Sequence, residues 1–130
     1  ILEQSPEVMQ EVSTLVIQAQ SDLYEVRKMI HKIGFFIENE KFCMDAGKPY
    51  LVMRAVRGEE KTPYEPAEYE YGRLLPEVSD TAYRKFLLDE RDKKMKLQET
   101  LNMQKTSGAG ARVEELTEEI TGLNWILNKF

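Results

Sequence analysis

Little in this chain supplies the usual tools of catalysis. Among its 130 residues there is one histidine, one cysteine and one tryptophan. A lone histidine, His31, leaves no second imidazole for a zinc site and no alternative base for a nucleophile triad. A lone cysteine, Cys43, excludes an internal disulfide framework and fits a reducing, intracellular compartment, with the cytoplasm as the expected location. No apolar run approaches the roughly 20 residues of a bilayer helix, so no membrane insertion is expected. Nor does a basic start precede an apolar stretch: Glu3 and Glu7 stand there instead, and no targeting signal is expected. A chain opening on Ile1 reads as an excised fragment or a processed product. The net charge of −5 argues against a general nucleic-acid binder, so no nucleic-acid partner is expected.

What the chain does have is a long apolar stripe. Val8, Val12, Leu15, Ala19, Leu23, Val26, Ile30, Ile33 and Ile37 recur at steps of three or four, the spacing of one helix face. Ser5 fits as a cap, Pro6 as the first helical residue, and Glu7 suits the positive end of the helix dipole. The stripe predicts a helix over about 6–46, ending near Ala46 and Gly47, with a break at Gly34 as the alternative. Unbroken, it would be about 60 Å long. A compact domain of this size is only about 35–40 Å across. The helix therefore bends or stops near Gly34, or the molecule is elongated and completed by another chain.

A connector is expected over about 47–77. Tyr50–Val56 is a short apolar run read here as helical, because no second strand presents itself as a partner. Gly58, Pro63, Pro66, Gly72 and Pro76 then punctuate a segment holding Tyr64, Tyr69 and Tyr71, with one helical turn after Pro66. A second long helix is predicted over about 78–105, started by Pro76 or a Ser79/Asp80 cap. Asp89–Lys93, Glu90–Lys94 and Asp92–Lys96 each place an acid four residues before a lysine, which marks a solvated helical face. Ser107–Ala111 reads as a flexible break (about 106–111), either a native loop or an inserted linker. The last helix is predicted over about 112–129, with Val113, Leu116, Ile120, Leu123, Ile126 and Leu127 as its stripe. The middle helical region, 78–111, holds seven Lys/Arg against five Asp/Glu, whereas 112–130 holds two against four. That contrast suits an antiparallel helical hairpin or bundle.

No strong catalytic pattern stands in the sequence. On a continuous helix His31 and Cys43 would lie about 18 Å apart, too far for a nucleophile pair. Gly108 and Gly110 lack the preceding strand and following lysine of a phosphate loop. Asp45, Ala46 and Gly47 form an acidic turn and not a calcium loop. Glu70-Tyr71-Gly72-Arg73-Leu74-Leu75 fits two loose sorting patterns, but aromatic anchoring of the connector explains its tyrosines as well.

These readings add up to one all-α domain over 1–130. It is an elongated helical bundle or coiled-coil-like packing of two long helices and one shorter C-terminal helix, with an irregular Pro/Tyr-rich connector. The function expected is that of a non-enzymatic structural or adaptor subunit, without metal or cofactor, that joins protein partners by self-association or in a larger complex. Val12, Leu15, Leu23, Val26, Ile30, Ile33, Leu116, Ile120 and Leu123 would form its contact stripes. The alternative is a chaperone- or inhibitor-like module that captures a peptide or helix through Tyr64, Tyr69 and Tyr71.

Overall fold

The computed structural model describes residues 13–78, 80–104 and 109–130. Ser5, Pro6, Glu7, Val8, Val12, Ser79, Ser107 and Gly108 lie outside these residues. The rest groups into two compact units, one reaching to Leu75 and the other starting at Pro76.

The first unit overturns the all-α expectation, because it is built on a sheet. Where one helix was expected over 6–46, the chain makes strand β1 (Thr14–Ala19), helix α1 (Leu23–Lys32) and strand β2 (Phe35–Asp45). The supposed helical run at Tyr50–Val56 lies inside strand β3 (Lys48–Arg57). β3 is hydrogen-bonded between the other two, giving the order β1-β3-β2 with antiparallel neighbours throughout. β1 and β2 therefore run parallel, joined by the α1 crossover, and β3 fills the slot between them.

Local chemistry explains these boundaries. β-branched and aromatic residues crowd Thr14–Ile17 and Phe35–Ile37, where a pleated surface accommodates them best. Gly34, at φ +87°, stops α1 and turns the chain into β2, with its N–H on the His31 carbonyl. Ala46 (φ 51°) and Gly47 (φ 77°) make the two-residue turn of the β2–β3 hairpin. That turn stands where the sequence suggested a helix end. Both residues take the positive φ that matches hairpin twist.

One sheet face carries the core of this unit. Phe35, Ile37, Leu51, Met53 and Ala55 are buried there against Ile30 of α1, and Leu15, Ile17 and Ala19 of β1 are half-buried. A bulge decides who joins them. Ile37 pairs with Ala55 and Asn39 with Arg54, so Glu38 is an extra residue with no partner of its own. The inward set therefore switches from odd to even numbers, and Glu40, opposite Met53, enters the buried face.

Beyond β3 the connector holds two short helices, α2 (Pro66–Tyr71) and α3 (Leu74–Glu77). A reciprocal capping box between Glu65 and Glu68 starts α2, with Pro66 in its first turn.

The second unit is an antiparallel pair, α4 (Thr81–Gln104) and α5 (Ala109–Leu127). Asp80 caps α4 by accepting the Tyr83 N–H at 2.8 Å. Tyr83, Leu87, Leu116, Leu123 and Ile126 are buried between the helices. Arg91 to Asn124 at 2.8 Å, Lys94 to Glu119 at 3.1 Å and Gln98 to Thr117 at 2.6 Å lace the seam. Lys94 was expected to pair along its own helix with Glu90 but reaches across to Glu119, while Lys93 turns to Glu90 at 3.5 Å.

Candidate functional site

The densest polar constellation lies where the connector crosses α1. Arg27 and Glu40 form its root, their side chains 0% exposed, with Arg27 Nε donating to Glu40 Oε1 at 2.8 Å. Charges so far from water persist only when paired. Arg27 Nη1 donates onward to the carbonyls of Tyr69 at 2.7 Å and Glu70 at 3.0 Å. One guanidinium thus ties helix, sheet and connector together and satisfies carbonyls near the end of α2. The outer atoms of the pair, Arg27 Nη2 and Glu40 Oε2, find no hydrogen-bond partner among the described residues and lie against Gly72.

One turn further along α1 stands His31. Its Nε2 is 2.8 Å from Glu60 Oε2 and its Nδ1 is 2.7 Å from the Tyr69 hydroxyl. The carboxylate can only accept, so Nε2–H donates to it, and in the neutral ring Nδ1 accepts from the phenol. Glu60 Oε2 also accepts the Ile37 N–H at 3.2 Å, which covers part of the open edge of β2. With both nitrogens engaged and its side chain 16% exposed, His31 holds the connector and has no free nitrogen for a substrate proton.

Rings fill the space around it. Tyr64 meets His31 edge-on at 4.8 Å between centroids, Tyr69 lies 5.2 Å from Tyr64, and Tyr24 lies 5.5 Å from Tyr69. The row runs from buried Tyr64 to half-buried Tyr24. Cations cap both ends: Arg73 sits 4.1 Å from the Tyr64 ring, and Lys28 Nζ sits 4.7 Å from Tyr69 and 5.6 Å from Tyr24. Burial pushes the Tyr64 phenol far above its ordinary value, with Glu60 and Glu40 adding to the rise. Hydrogen bonding to Glu68 raises the Arg73 guanidinium, which also donates to the carbonyls of Thr62 and Pro63.

Of the residues singled out by sequence, the structure brings Tyr64 and Tyr69 together, while Tyr71 is half-buried at the end of α2. The stripe residues are dispersed over different elements. Leu15 is on β1; Leu23, Val26 and Ile30 are on α1, with Ile33 just past its end; Leu116, Ile120 and Leu123 are on α5. Ile30, Leu116 and Leu123 are wholly buried. Arg27, Glu40, Lys28 and Tyr24 carried no signal in the sequence that marked them. An acid and an arginine thirteen residues apart carry no local signal; only the β2 bulge makes them neighbours. Among the described residues no group of three or more His, Cys, Asp or Glu is placed to hold a metal ion. No described helix is long and apolar enough to cross a membrane.

Comparison with known proteins places this fold. The chain is similar to an uncharacterized protein from Listeria monocytogenes, with a TM-score of 0.88 at 17% identity over 97% of this chain and 56% of that one. It is also similar to the M1A22 tRNA methyltransferase TrmK of B. subtilis, with a TM-score of 0.81 at 18% identity over 98% and 56%. M. capricolum TrmK, solved with the cofactor product S-adenosyl-homocysteine, gives a TM-score of 0.73 at 16% identity over 92% and 51%. The chain thus spans about half the length of these solved relatives. No curated protein matches it significantly.

The family model that does match is TrmK, tRNA (adenine(22)-N(1))-methyltransferase, over residues 1–124. This match overturns the reading of a non-enzymatic adaptor or capture module, and with it the expectation of protein partners alone and no nucleic acid. Scarcity of histidine and cysteine says nothing against a group transfer that relies on positioning, and a net charge of −5 describes a whole chain and not its local surfaces. An all-α coiled-coil subunit gives way to an α/β fold, and the chain belongs to the TrmK family of tRNA (adenine(22)-N(1))-methyltransferases.

Proposed function

We propose that the protein carrying this chain transfers a methyl group to N1 of adenine 22 of a tRNA, in the compartment that holds tRNA. The observation that carries this reading is the family match over residues 1–124. Adenine N1 lies on the Watson–Crick edge, so the base must leave its pairing before the atom can be reached. Catalysis then depends on holding an extruded base in place, which requires no histidine or cysteine.

The described residues do not themselves fit S-adenosylmethionine. The turn from β1 into α1, Gln20-Ser21-Asp22, contains no glycine that would let a nucleotide approach the backbone closely. No step is therefore assigned to cofactor contacts in these two units. They offer a rigid β1–α1–β2 crossover, clamped from within by Arg27 and Glu40, and a connector strapped across it.

The test uses the intact protein, S-adenosylmethionine with a labelled methyl group, and unmodified tRNA transcripts carrying adenine or guanine at position 22. Label is expected in the adenine transcript alone, with N1-methyladenosine recovered on digestion. Equal labelling of both transcripts, or of neither, overturns the proposal.

A further inference from the structure

We propose that Tyr24, Tyr69 and Lys28 form a contact surface for one unpaired nucleotide of the substrate RNA, the base lying on the tyrosine rings and its phosphate meeting the lysine. This rests on the tRNA reading above and goes beyond it by naming the residues and the form of RNA they take.

The surface is the outer end of the aromatic row. Tyr64 is buried and serves as its foundation, whereas Tyr24 and Tyr69 are half-buried and Lys28 is exposed. The Tyr69 ring is fixed from behind: its hydroxyl is 2.7 Å from His31, and Arg27 holds its carbonyl at 2.7 Å. The Tyr24 ring lies 5.5 Å from it, tilted by 58°. Rings held in advance lose little freedom when a base stacks on them.

Lys28 behaves unlike the cations that build the fold. Arg27, Arg54, Arg73, Lys94 and Arg112 each reach a carboxylate. Lys28 makes no ion pair among the described residues, although Glu25 is three residues before it on α1, where a pair is geometrically easy. Its ammonium stands over the Tyr69 and Tyr24 rings instead, at 4.7 and 5.6 Å. An exposed, unneutralised cation beside aromatic faces is the combination that single-stranded nucleic acid uses, stacking its bases and engaging its phosphates at once.

Position and charge narrow the choice further. Tyr24 is in the first turn of α1, just past the carboxyl end of β1, at the start of the crossover that leads to β2. Glu25 and Glu70 flank the rings and are exposed. They oppose an array of phosphates such as a duplex presents, but tolerate one base with one phosphate. An enzyme acting on a Watson–Crick edge has such an unpaired nucleotide to hold.

The experiment is anisotropy of fluorescently labelled tRNA, a single-stranded oligonucleotide and an RNA duplex, titrated with the intact protein over a range of salt. Tyr24→Ala is expected to weaken tRNA binding roughly 5- to 150-fold, while Tyr24→Phe stays near wild type because the ring remains. Lys28→Ala should flatten the dependence of log K on log salt by about 0.7–0.9, and Lys28→Arg should restore it. Melting temperatures of the Lys28 variants should match wild type.

Unchanged binding in both alanine variants overturns the proposal. So does a wild-type protein that fails to bind tRNA, or one whose preference for duplex is the property these variants lose. Should Tyr24→Ala fold poorly, the Lys28 pair decides the matter alone. If the variants lose binding while wild type transfers no methyl group, the surface stands and the methyltransferase reading falls.

Discussion

Among the described glycines at positive φ, Gly72 tolerates a side chain least, and Gly72→Ala measures why. Its backbone, at φ 95° and ψ 155°, lies in a region that only glycine enters readily, so any L side chain costs about 1–3 kcal/mol there. An added Cβ would also collide with Glu40 Oε2 and come within 2.9 Å of Arg27 Nη2. Both atoms end flexible side chains, yet neither can yield cheaply. The pair is 0% exposed, Arg27 is tied to two connector carbonyls, and moving either partner leaves a buried charge uncompensated. Breaking such a pair costs about 3–5 kcal/mol. A total of about 4–8 kcal/mol is expected, equivalent to roughly 15–30 °C in melting temperature for a chain of this size. Gly47→Ala provides the comparison. Gly47 also has positive φ, +77°, but nothing lies within 4 Å of an added Cβ, so only the backbone cost of about 1–2 kcal/mol applies. Urea unfolding of the two variants, followed by near-ultraviolet circular dichroism of the tyrosines, gives the difference. Equal losses within about 0.5 kcal/mol would refute the claim that Gly72 seals the ion pair.

Three further outcomes follow from the same geometry. Arg27→Met and Glu40→Met should each cost about 3–5 kcal/mol, while the double variant recovers most of that loss; additive losses in a double-mutant cycle would contradict the pairing. Tyr64, whose ordinary value is 10.0, is raised in the folded chain, so its contribution is intact below pH 10 and declines as pH climbs above it. Urea titrations from neutral to strongly alkaline pH should show this decline reduced in Tyr64→Phe, and an identical decline in both proteins would count against the burial. Deleting Glu38, the extra residue of the bulge, keeps Glu40 opposite Met53 and sacrifices only the exposed Arg54–Glu38 pair at 3.0 Å. The expected cost is within about 1 kcal/mol. Unfolding of the deletion variant would mean that the bend itself, and not the register, is required.

The helices at the C-terminal end were legible because their signals are local. Apolar residues at steps of three and four and an Asp80 cap act within one or two turns, and α4 appears at Thr81–Gln104, whereas α5 (Ala109–Leu127) starts inside the segment 106–111 that was expected to be a flexible break. The sheet was illegible for a specific reason. A step of four residues suits a helix face and also returns to the same face of a strand, so Leu15 and Ala19 fit both periods. Ile17, between them on the same inner face, was the signal for a strand. Tyr50–Val56 was denied strand status for want of a partner, and its partners, β1 and β2, were both concealed in the supposed helix.

The candidate site shows the same division. His31 on a helix and Tyr64 and Tyr69 in a connector could be named from sequence, but what they touch could not. Arg27 and Glu40 were not marked by any sequence pattern, because burial and pairing are properties of the packed chain.

Composition and short-range spacing by themselves determined the helical hairpin, the absence of any twenty-residue apolar span and the Pro66 start of α2, since caps, propensities and side-chain pairs act between near neighbours. Strand pairing, the odd-to-even switch at Glu38, the burial of an arginine with a glutamate and the meeting of Tyr24, Lys28 and Tyr69 were decided only by tertiary structure. The Arg27–Glu40 and Tyr24–Tyr69 contacts join residues 13 and 45 positions apart, and their free energy exists only once the sheet has closed and water has been expelled.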